Sequence, residues 1–487
     1  MQSSSKSVWL YSITGIFILC TAISIYFEHF EILLLPFVAL VAYLALFKLD
    51  TLYLLLIALV PLSVNLDSIG IGVGMTIPTD PVLFGLLLFV IIKTIYEGGF
   101  DRQVIFHPVS LFLIIQLSWV FITAVTSSIP LVSFKYFTAQ LWFITTFYFL
   151  ATQVFRKIKN MQHFFWLYIL PFCLIIAYTL VNHSFHGFDQ KSGNWVMKPF
   201  YNDHTSYGAA LALFIPFLIA KSFEKNNRIA ILKPLIFMLL AYFTLATILS
   251  YTRAAWVGLI GGWGVYLILK FKIKWQILAA IVLSLSVTAL VMQDDIRDYF
   301  SKNKVNSSTD INQHVKSISN VSSDASNRER INRWNSGFAM FKERPLFGWG
   351  PGTYSFNYAG FQKESDKTII STNAGDMGNA HSEYVGPLSE SGFPGLIIVL
   401  GLFLTIIATG VRVYKRSTNQ FFKTYSMSCL IGIITYIIHG FLNNFLDTDK
   451  ITAPFYGMTA ILVVMDLYNQ KKYPEKEFQE QLEKLKA

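Results

Sequence analysis

Long apolar runs separated by short polar connectors dominate the chain. Eleven come first, at 8–26, 32–47, 51–65, 81–95, 109–126, 136–154, 164–182, 205–221, 233–250, 254–270 and 275–292; three more follow at 394–411, 422–442 and 453–469. Each run reads as a helix crossing a bilayer, where a perpendicular span takes about 20 apolar residues. Several runs are shorter, and 32–47 with 51–65 also fits a re-entrant hairpin that leaves the later topology unchanged. A membrane barrel would show alternating apolar and polar positions instead. The expected fold is an all-α polytopic integral membrane protein with about 12–14 transmembrane helices. It divides into an N-terminal bundle at 1–292, one large polar loop with helices of its own at 293–393, C-terminal spans at 394–470 and a tail at 471–487.

Charge placement orients this array. Lys6, Lys48, Lys93, Arg102, Arg156, Lys157, Lys159, Lys221, Lys270, Arg412, Arg416 and Lys471 fall in alternate connectors, and Glu28, Glu31, Asp67, Asp80, Asp447 and Asp449 in the others. Basic connectors face the cytoplasm, so both termini are expected there. The 293–393 loop then faces outward from the cytoplasmic membrane. Composition agrees with lipid-facing helices: 54% of residues are hydrophobic and 14% charged, against about 25% charged in a soluble domain. The net charge of +10 sits in short connectors, so no nucleic-acid partner is expected. Cys20, Cys173 and Cys429 lie inside apolar runs and read as buried thiols, with neither a disulfide nor a zinc pattern. The N-terminal run lacks a small-residue cleavage site and reads as a retained span.

The polar residues that call for explanation gather on the outer side. Arg253 sits in a turn between two apolar helices, in Ser250-Tyr-Thr-Arg253-Ala-Ala-Trp256. It reads either as an interfacial anchor that snorkels or as a phosphate clamp, since a guanidinium is a permanently charged fork matched to phosphate oxygens. In the loop, Ser326-Asn-Arg-Glu329 has capping-box spacing and predicts a helix start. Ile331, Trp334, Phe338 and Phe341 would then form its buried stripe. Arg330 falls roughly 60° from that stripe, Arg328 roughly 100° and Arg333 roughly 120°. Arg330 is thus expected at the edge of a buried interface, and Arg328 and Arg333 on a solvated face. His381, in Asn379-Ala-His-Ser-Glu-Tyr384, precedes a short helix ending at Gly392. Near a helix N-terminus its imidazole stays neutral and able to accept a proton; a structural histidine bonded to the loop backbone is the other reading. Phe347-Gly-Trp-Gly-Pro-Gly352 predicts a tight turn but lacks the strand and helix of a nucleotide loop. Asn202, His204, Glu383 and His439 are secondary candidates, and Asn443, Asn444 and Asp447 are expected near the same cavity. His183, His186, Asp189 and His204 match no recognised metal spacing, so no metal is expected.

Taken together, these motifs resemble the bacterial O-antigen ligase and O-antigen polymerase superfamily. The resemblance rests on the Arg253 turn, on Arg330-Ile-Asn-Arg-Trp334 with Arg344-Pro-Leu-Phe-Gly-Trp-Gly-Pro-Gly352, on Ala380-His381-Ser-Glu-Tyr384 with Glu390-Ser-Gly-Phe-Pro-Gly395, and on Tyr201-Asn-Asp-His204. It covers roughly 200–400; the earlier spans match only in hydropathy. The resemblance implies a GT-C-type membrane glycosyltransferase, metal-independent and inverting, without a cofactor. Such an enzyme moves a glycan from undecaprenyl diphosphate to an acceptor hydroxyl, such as lipid A–core of lipopolysaccharide, at the outer face of the cytoplasmic membrane. By matching position, Arg253 and Arg330 would hold the diphosphate and His381 would act as general base. A polymerase using a second lipid-linked repeat as acceptor shares these motifs. A transporter or flippase of lipid-linked sugars is the reading from another class, disfavoured by the lack of an internal repeat and by the candidates' placement on one face.

Overall fold

A computed structural model describes residues 2–28, 35–70, 74–224, 232–274, 325–367 and 378–474, with isolated positions 276, 371, 480, 481 and 483. The expected span 275–292 and the first part of the polar loop lie outside the described residues, as does Glu31.

Every other expected span falls on helix. The bundle begins with α1 (Gln2–Phe27), α2 (Leu35–Phe47), α3 (Leu49–Leu59), α4 (Thr79–Glu97), α5 (Arg102–Ile105) and α6 (Pro108–Val125). It continues with α7 (Pro130–Ile144), which runs through a π-helical segment at Thr145–Leu150 into α8 (Ala151–Val154). Next come α9 (Ile158–Ser184), α10 (Gln190–Gly193), α11 (His204–Ser222), α12 (Lys233–Leu249) and α13 (Arg253–Lys270). After the described gap follow α14 (Ala325–Glu343), α15 (Tyr354–Asn357), α16 (Val385–Arg416), α17 (Gln420–His439) and α18 (Asp449–Asn469). Residues 64–65, expected as the end of a span, instead form β1 (Val64–Asn65), antiparallel to β2 (Thr76–Ile77) with Val64 opposite Ile77. Among the described residues, seven helices are long and apolar enough to cross a membrane. The chain is an all-α polytopic membrane protein.

Burial sorts these helices into an inner and an outer set. The apolar stretch of α18 is 100% buried and that of α11 89%, whereas α4 and α6 are each 33% buried. Outer helices turn Ile95, Leu404 and Leu174 outward, as a lipid-facing surface requires. Small residues let the inner helices approach closely. At Gly258 on α13 a Cβ would stand 2.4 Å from the Thr435 carbonyl oxygen of α17, so only glycine fits.

Two buried polar clusters fasten the last helix to the rest. Lys450 Nζ donates to the carbonyls of Val60 (2.6 Å) and Ser63 (2.6 Å) and to Ser63 Oγ (2.6 Å). Asp449 Oδ2 accepts from Ser63 Oγ and Thr79 Oγ1. At the other end of α18, Asp466 accepts from Arg412 Nη2 at 2.7 Å and pairs with His107 Nε2 at 3.1 Å. His107 Nδ1 accepts the Val109 N–H at the start of α6, which leaves Nε2 as the donor to Asp466.

The expected short helix before Gly392 is present as the first part of α16. Gly392 adopts φ 70° and ψ −172°, which kinks the helix there. The glycine motif forms the expected turn, with Gly348, Gly350 and Gly352 all at positive φ. It is stitched to α16 by Trp349 N to Ser389 O (3.1 Å) and Gly350 N to Glu390 O (2.8 Å). Beside it Met340, Tyr354, Tyr358, Ala380 and Val385 form a small separate core.

Candidate functional site

The Arg253 turn is held by the start of α11. Asp203 caps that helix, its Oδ1 accepting the Ser206 N–H at 2.8 Å, which places His204 as the first helical residue. The His204 carbonyl accepts Thr252 Oγ1 at 2.7 Å. Gly208 makes room for this contact, since a Cβ there would lie 2.6 Å from Thr252 Cβ. Tyr251 takes the left-handed conformation (φ 53°) that reverses the chain, and Arg253 then opens α13 next to His204. Asp203 and Thr252 were not singled out from the sequence, although an aspartate just before a helical run is an N-cap signal.

The loop helix presents a different face from the one expected. Glu329, Asn332, Arg333, Ser336 and Met340 are buried, whereas Ile331 is 37% and Phe338 43% exposed. The buried face is rotated roughly 150° from the Ile331–Phe341 stripe. The physical reason is pairing: Arg333 Nε donates to Glu329 Oε1 at 2.9 Å one turn back, and Arg333 Nη1 to the Asn379 carbonyl at 3.0 Å. Asn332 Nδ2 donates to Gln362 Oε1 at 2.8 Å. A satisfied polar face can be buried where an unpaired one cannot. Arg333 is therefore not on a solvated face, while Arg328 is exposed as expected. Arg330 lies half-buried at the border, and its Nε donates to the Leu442 carbonyl at 3.3 Å. Ser326 stands inside α14 rather than at its cap.

His381 also adopts a left-handed backbone (φ 48°), with its N–H on Asn379 Oδ1 at 3.1 Å. Burial lowers its pKa to about 4, with Arg333 and Arg330 adding to the effect and Asp203 and Glu329 opposing it. Burial and neighbouring guanidiniums, rather than the helix N-terminus, keep this imidazole neutral. Glu383 anchors the segment. Its Oε1 accepts the Tyr436 hydroxyl, the Phe445 N–H at 2.8 Å and the Leu446 N–H at 3.0 Å. Its backbone N–H bonds the Gly440 carbonyl at 2.8 Å. Burial lifts the Glu383 carboxyl to about 7.

One cluster results. Arg330 is an electrostatic neighbour of His381, His204 and His439, and Arg253 of His204. His439, at the end of α17, is buried and accepts or donates through Nε2 to Asn443 Nδ2 at 3.1 Å; with an amide nitrogen opposite, Nε2 accepts. His439 Nδ1 and Asn443 Oδ1 are buried without a partner among the described residues. Two secondary candidates do not join: Asn202 is exposed beside the Asp203 cap, and Glu383 acts as a brace. The residues weighed as metal ligands are spent on their own turn, His183 Nε2 and His186 Nδ1 each 2.9 Å from a backbone carbonyl and Asp189 capping α10.

Behind the His381 segment lies a cavity of about 500 Å³, lined from α6, α7, the first part of α16 and the 444–447 turn. Asn379, Ala380, Ser382 and Glu383 line it, whereas His381 does not. Asn444 and Asp447 belong to this cavity, and His439 with Asn443 to the arginine side.

Residues 235–400 match the family model described as O-antigen ligase. A shorter stretch of 92 residues is 27% identical to a protein of Geobacter metallireducens named "Probable peptidoglycan glycosyltransferase FtsW", covering 18% of this chain and 24% of that protein. The chain thus spans about a quarter of the length of this curated relative. The family match contains Arg253, Arg330 and His381 and ends before His439. Through this region, about a third of its length, the chain is similar to the O-antigen ligase family.

Proposed function

We propose that the chain is a ligase-type glycosyltransferase that moves a glycan from undecaprenyl diphosphate to an acceptor hydroxyl, such as one on lipid A–core. The observation that carries this reading is the convergence of Arg253, Arg330 and His381 from three distant stretches of sequence. Two guanidiniums suit a diphosphate, which carries its charge on oxygens that accept a planar fork. A neutral imidazole beside them suits a hydroxyl that must lose a proton.

The reaction is a single displacement with inversion. The acceptor oxygen bonds to the anomeric carbon as the bond from that carbon to the diphosphate oxygen breaks. His381 takes the hydroxyl proton, and undecaprenyl diphosphate departs with the electron pair. Arg253 and Arg330 stabilise the charge that grows on this leaving group, a role filled elsewhere by a metal ion. Arg333 serves differently: tied to Glu329 and Asn379 O, it positions the His381 segment.

We place the cluster on the outer face of the cytoplasmic membrane, with both termini inside and residues 293–393 as the extracytoplasmic loop. The distribution of Lys and Arg supports this orientation. The cluster's gathering at the outer ends of α11, α13 and α17 fits it, as does the placement of the Arg412–Asp466 pair at the opposite end of α18.

A polymerase, with a second lipid-linked repeat as acceptor, would use the same groups. Purified protein given a labelled undecaprenyl-diphosphate donor and both acceptors separates the two. Label joined to lipid A–core supports the ligase. Label found only in lengthened lipid-linked glycan replaces it with the polymerase. Donor that crosses a liposome bilayer without transfer to either acceptor overturns both.

A further inference from the structure

The 500 Å³ cavity behind His381 differs in charge from the cluster in front of it. Glu383, Glu390 and Asp447 line it, against a single cation, Lys135. Its walls also carry the aromatic faces of Trp119, Tyr136 and Tyr354. The volume lies within the range of pockets that hold small organic ligands, about 300–1,000 Å³. A diphosphate finds little attraction here, because among the lining residues one ammonium stands against three acidic groups, of which burial lifts Glu383 and Glu390 to about 7. Hydroxyls and amines are attracted, because carboxylates accept their hydrogen bonds and aromatic faces cover the apolar side of a sugar ring.

Several polar groups at this cavity have bonding capacity that the described residues do not use. All three bonds to the buried Glu383 carboxylate fall on Oε1, and Oε2 takes none among the described residues. Gln116 Oε1 and Asn444 Oδ1 are buried without partners. No side-chain hydrogen bond engages the Asp447 carboxylate among the described residues. The two buried amide oxygens, Gln116 Oε1 and Asn444 Oδ1, carry a cost unless a ligand satisfies them.

One backbone segment separates the two regions. Asn379 lines the cavity while its carbonyl accepts from Arg333 on the other side. Ala380, Ser382 and Glu383 face the cavity, and His381 faces the guanidiniums. A sugar held in the cavity can therefore present a hydroxyl past this wall to His381.

We propose that this cavity is the acceptor subsite and that it takes uncharged or amine-bearing sugars in preference to phosphorylated ones. The proposal rests on the transferase reading. Phosphate stays on the arginine side, and the segregation of charge keeps donor and acceptor from exchanging places.

Binding and transfer are measured on the full-length protein in detergent. The probes are core oligosaccharide released from lipid A, in phosphorylated and dephosphorylated forms, and undecaprenyl diphosphate. The variants are Asp447→Asn, which removes one unengaged carboxylate, and Ala139→Phe, which fills the cavity from α7. The dephosphorylated probe should bind wild type and bind Asp447→Asn about tenfold more weakly, as for loss of one charge-assisted hydrogen bond. Ala139→Phe should abolish that binding, while both variants keep the wild-type affinity for undecaprenyl diphosphate. The phosphorylated probe should bind wild type about tenfold more weakly than the dephosphorylated one. Equal oligosaccharide affinity in wild type and both variants overturns the proposal, as does no binding to wild type or displacement of the sugar by undecaprenyl diphosphate. If wild type binds the sugar in this cavity but transfers nothing to it, the transferase reading fails and the acceptor assignment falls with it. If transfer proceeds unchanged in Ala139→Phe, the transferase reading stands and the cavity assignment alone is lost.

Discussion

The polar cluster around Lys450 and the one around Arg330 are made of the same kinds of side chain, yet their hydrogen-bond ledgers differ. Lys450 donates to Val60, Pro61 and Ser63, and Ser63 Oγ donates a hydrogen bond to Asp449, so each of these polar groups has a partner inside the fold. Asp466, with Arg412 and His107, is equally saturated. Around Arg330, by contrast, His439 Nδ1 and Asn443 Oδ1 are buried without a partner among the described residues. A saturated cluster has finished its work on folding. An unsaturated one keeps bonding capacity for a ligand, and the proposed diphosphate or sugar would supply donors and acceptors.

Substitutions test this difference in a graded way. The largest effect is expected at the guanidiniums. Arg253→Lys keeps the charge but removes the fork, and transfer should fall about 10²–10³-fold with little change in thermal stability. Full activity in that variant would break the clamp. In the saturated region the effect should move to stability. Asp466→Ala strands His107 and Arg412 and should cost about 3 kcal/mol, at the low end for a broken buried pair because Arg412 is partly solvated. Thermal unfolding in detergent reads this loss, and an unchanged midpoint would contradict the assignment. His439→Phe removes the unpartnered Nδ1 together with the single bond from Asn443 Nδ2, so stability should fall by about 1 kcal/mol. Transfer in that variant should drop about tenfold. A large loss of stability there would put His439 among the structural groups.

The smallest effect is a separation of pH profiles. The His381 pKa is lowered to about 4, so the imidazole is neutral above that pH and protonated below it. The acid limb of kcat/KM, which reports the free enzyme, should therefore fall near that value. Bound diphosphate offsets the charge of Arg330 and Arg333, so the acid limb of kcat should lie at higher pH. Coincident limbs would show that the diphosphate does not sit beside these arginines.

Much of the architecture was legible in the sequence because lipid imposes a one-dimensional code. The described spans fall mostly on helix, with ends that differ by up to nine residues as at 394–411 against Val385–Arg416, and the kink at Gly392 follows from its Gly-Phe-Pro-Gly setting. Arg253, Arg330 and His381 were legible as candidates, and the structure sets Arg330 near both His381 and His204, and Arg253 near His204. The face of α14 was not legible, because apolar periodicity assumes that polar residues stay in water. Glu329 and Arg333, four residues apart, satisfy one another and reverse that rule. The division between cluster and cavity was also hidden. It depends on His381 alone of 379–383 not lining the cavity, and on the Glu383 brace to a turn some sixty residues later.

The most direct test is a single-turnover transfer from a defined undecaprenyl-diphosphate glycan, with EDTA, by wild type and His381→Ala. The account predicts chelator-resistant transfer by wild type and a loss of about 10²–10⁴-fold in the variant, with donor binding intact. Transfer at the wild-type rate in His381→Ala, or transfer abolished by EDTA, would contradict it.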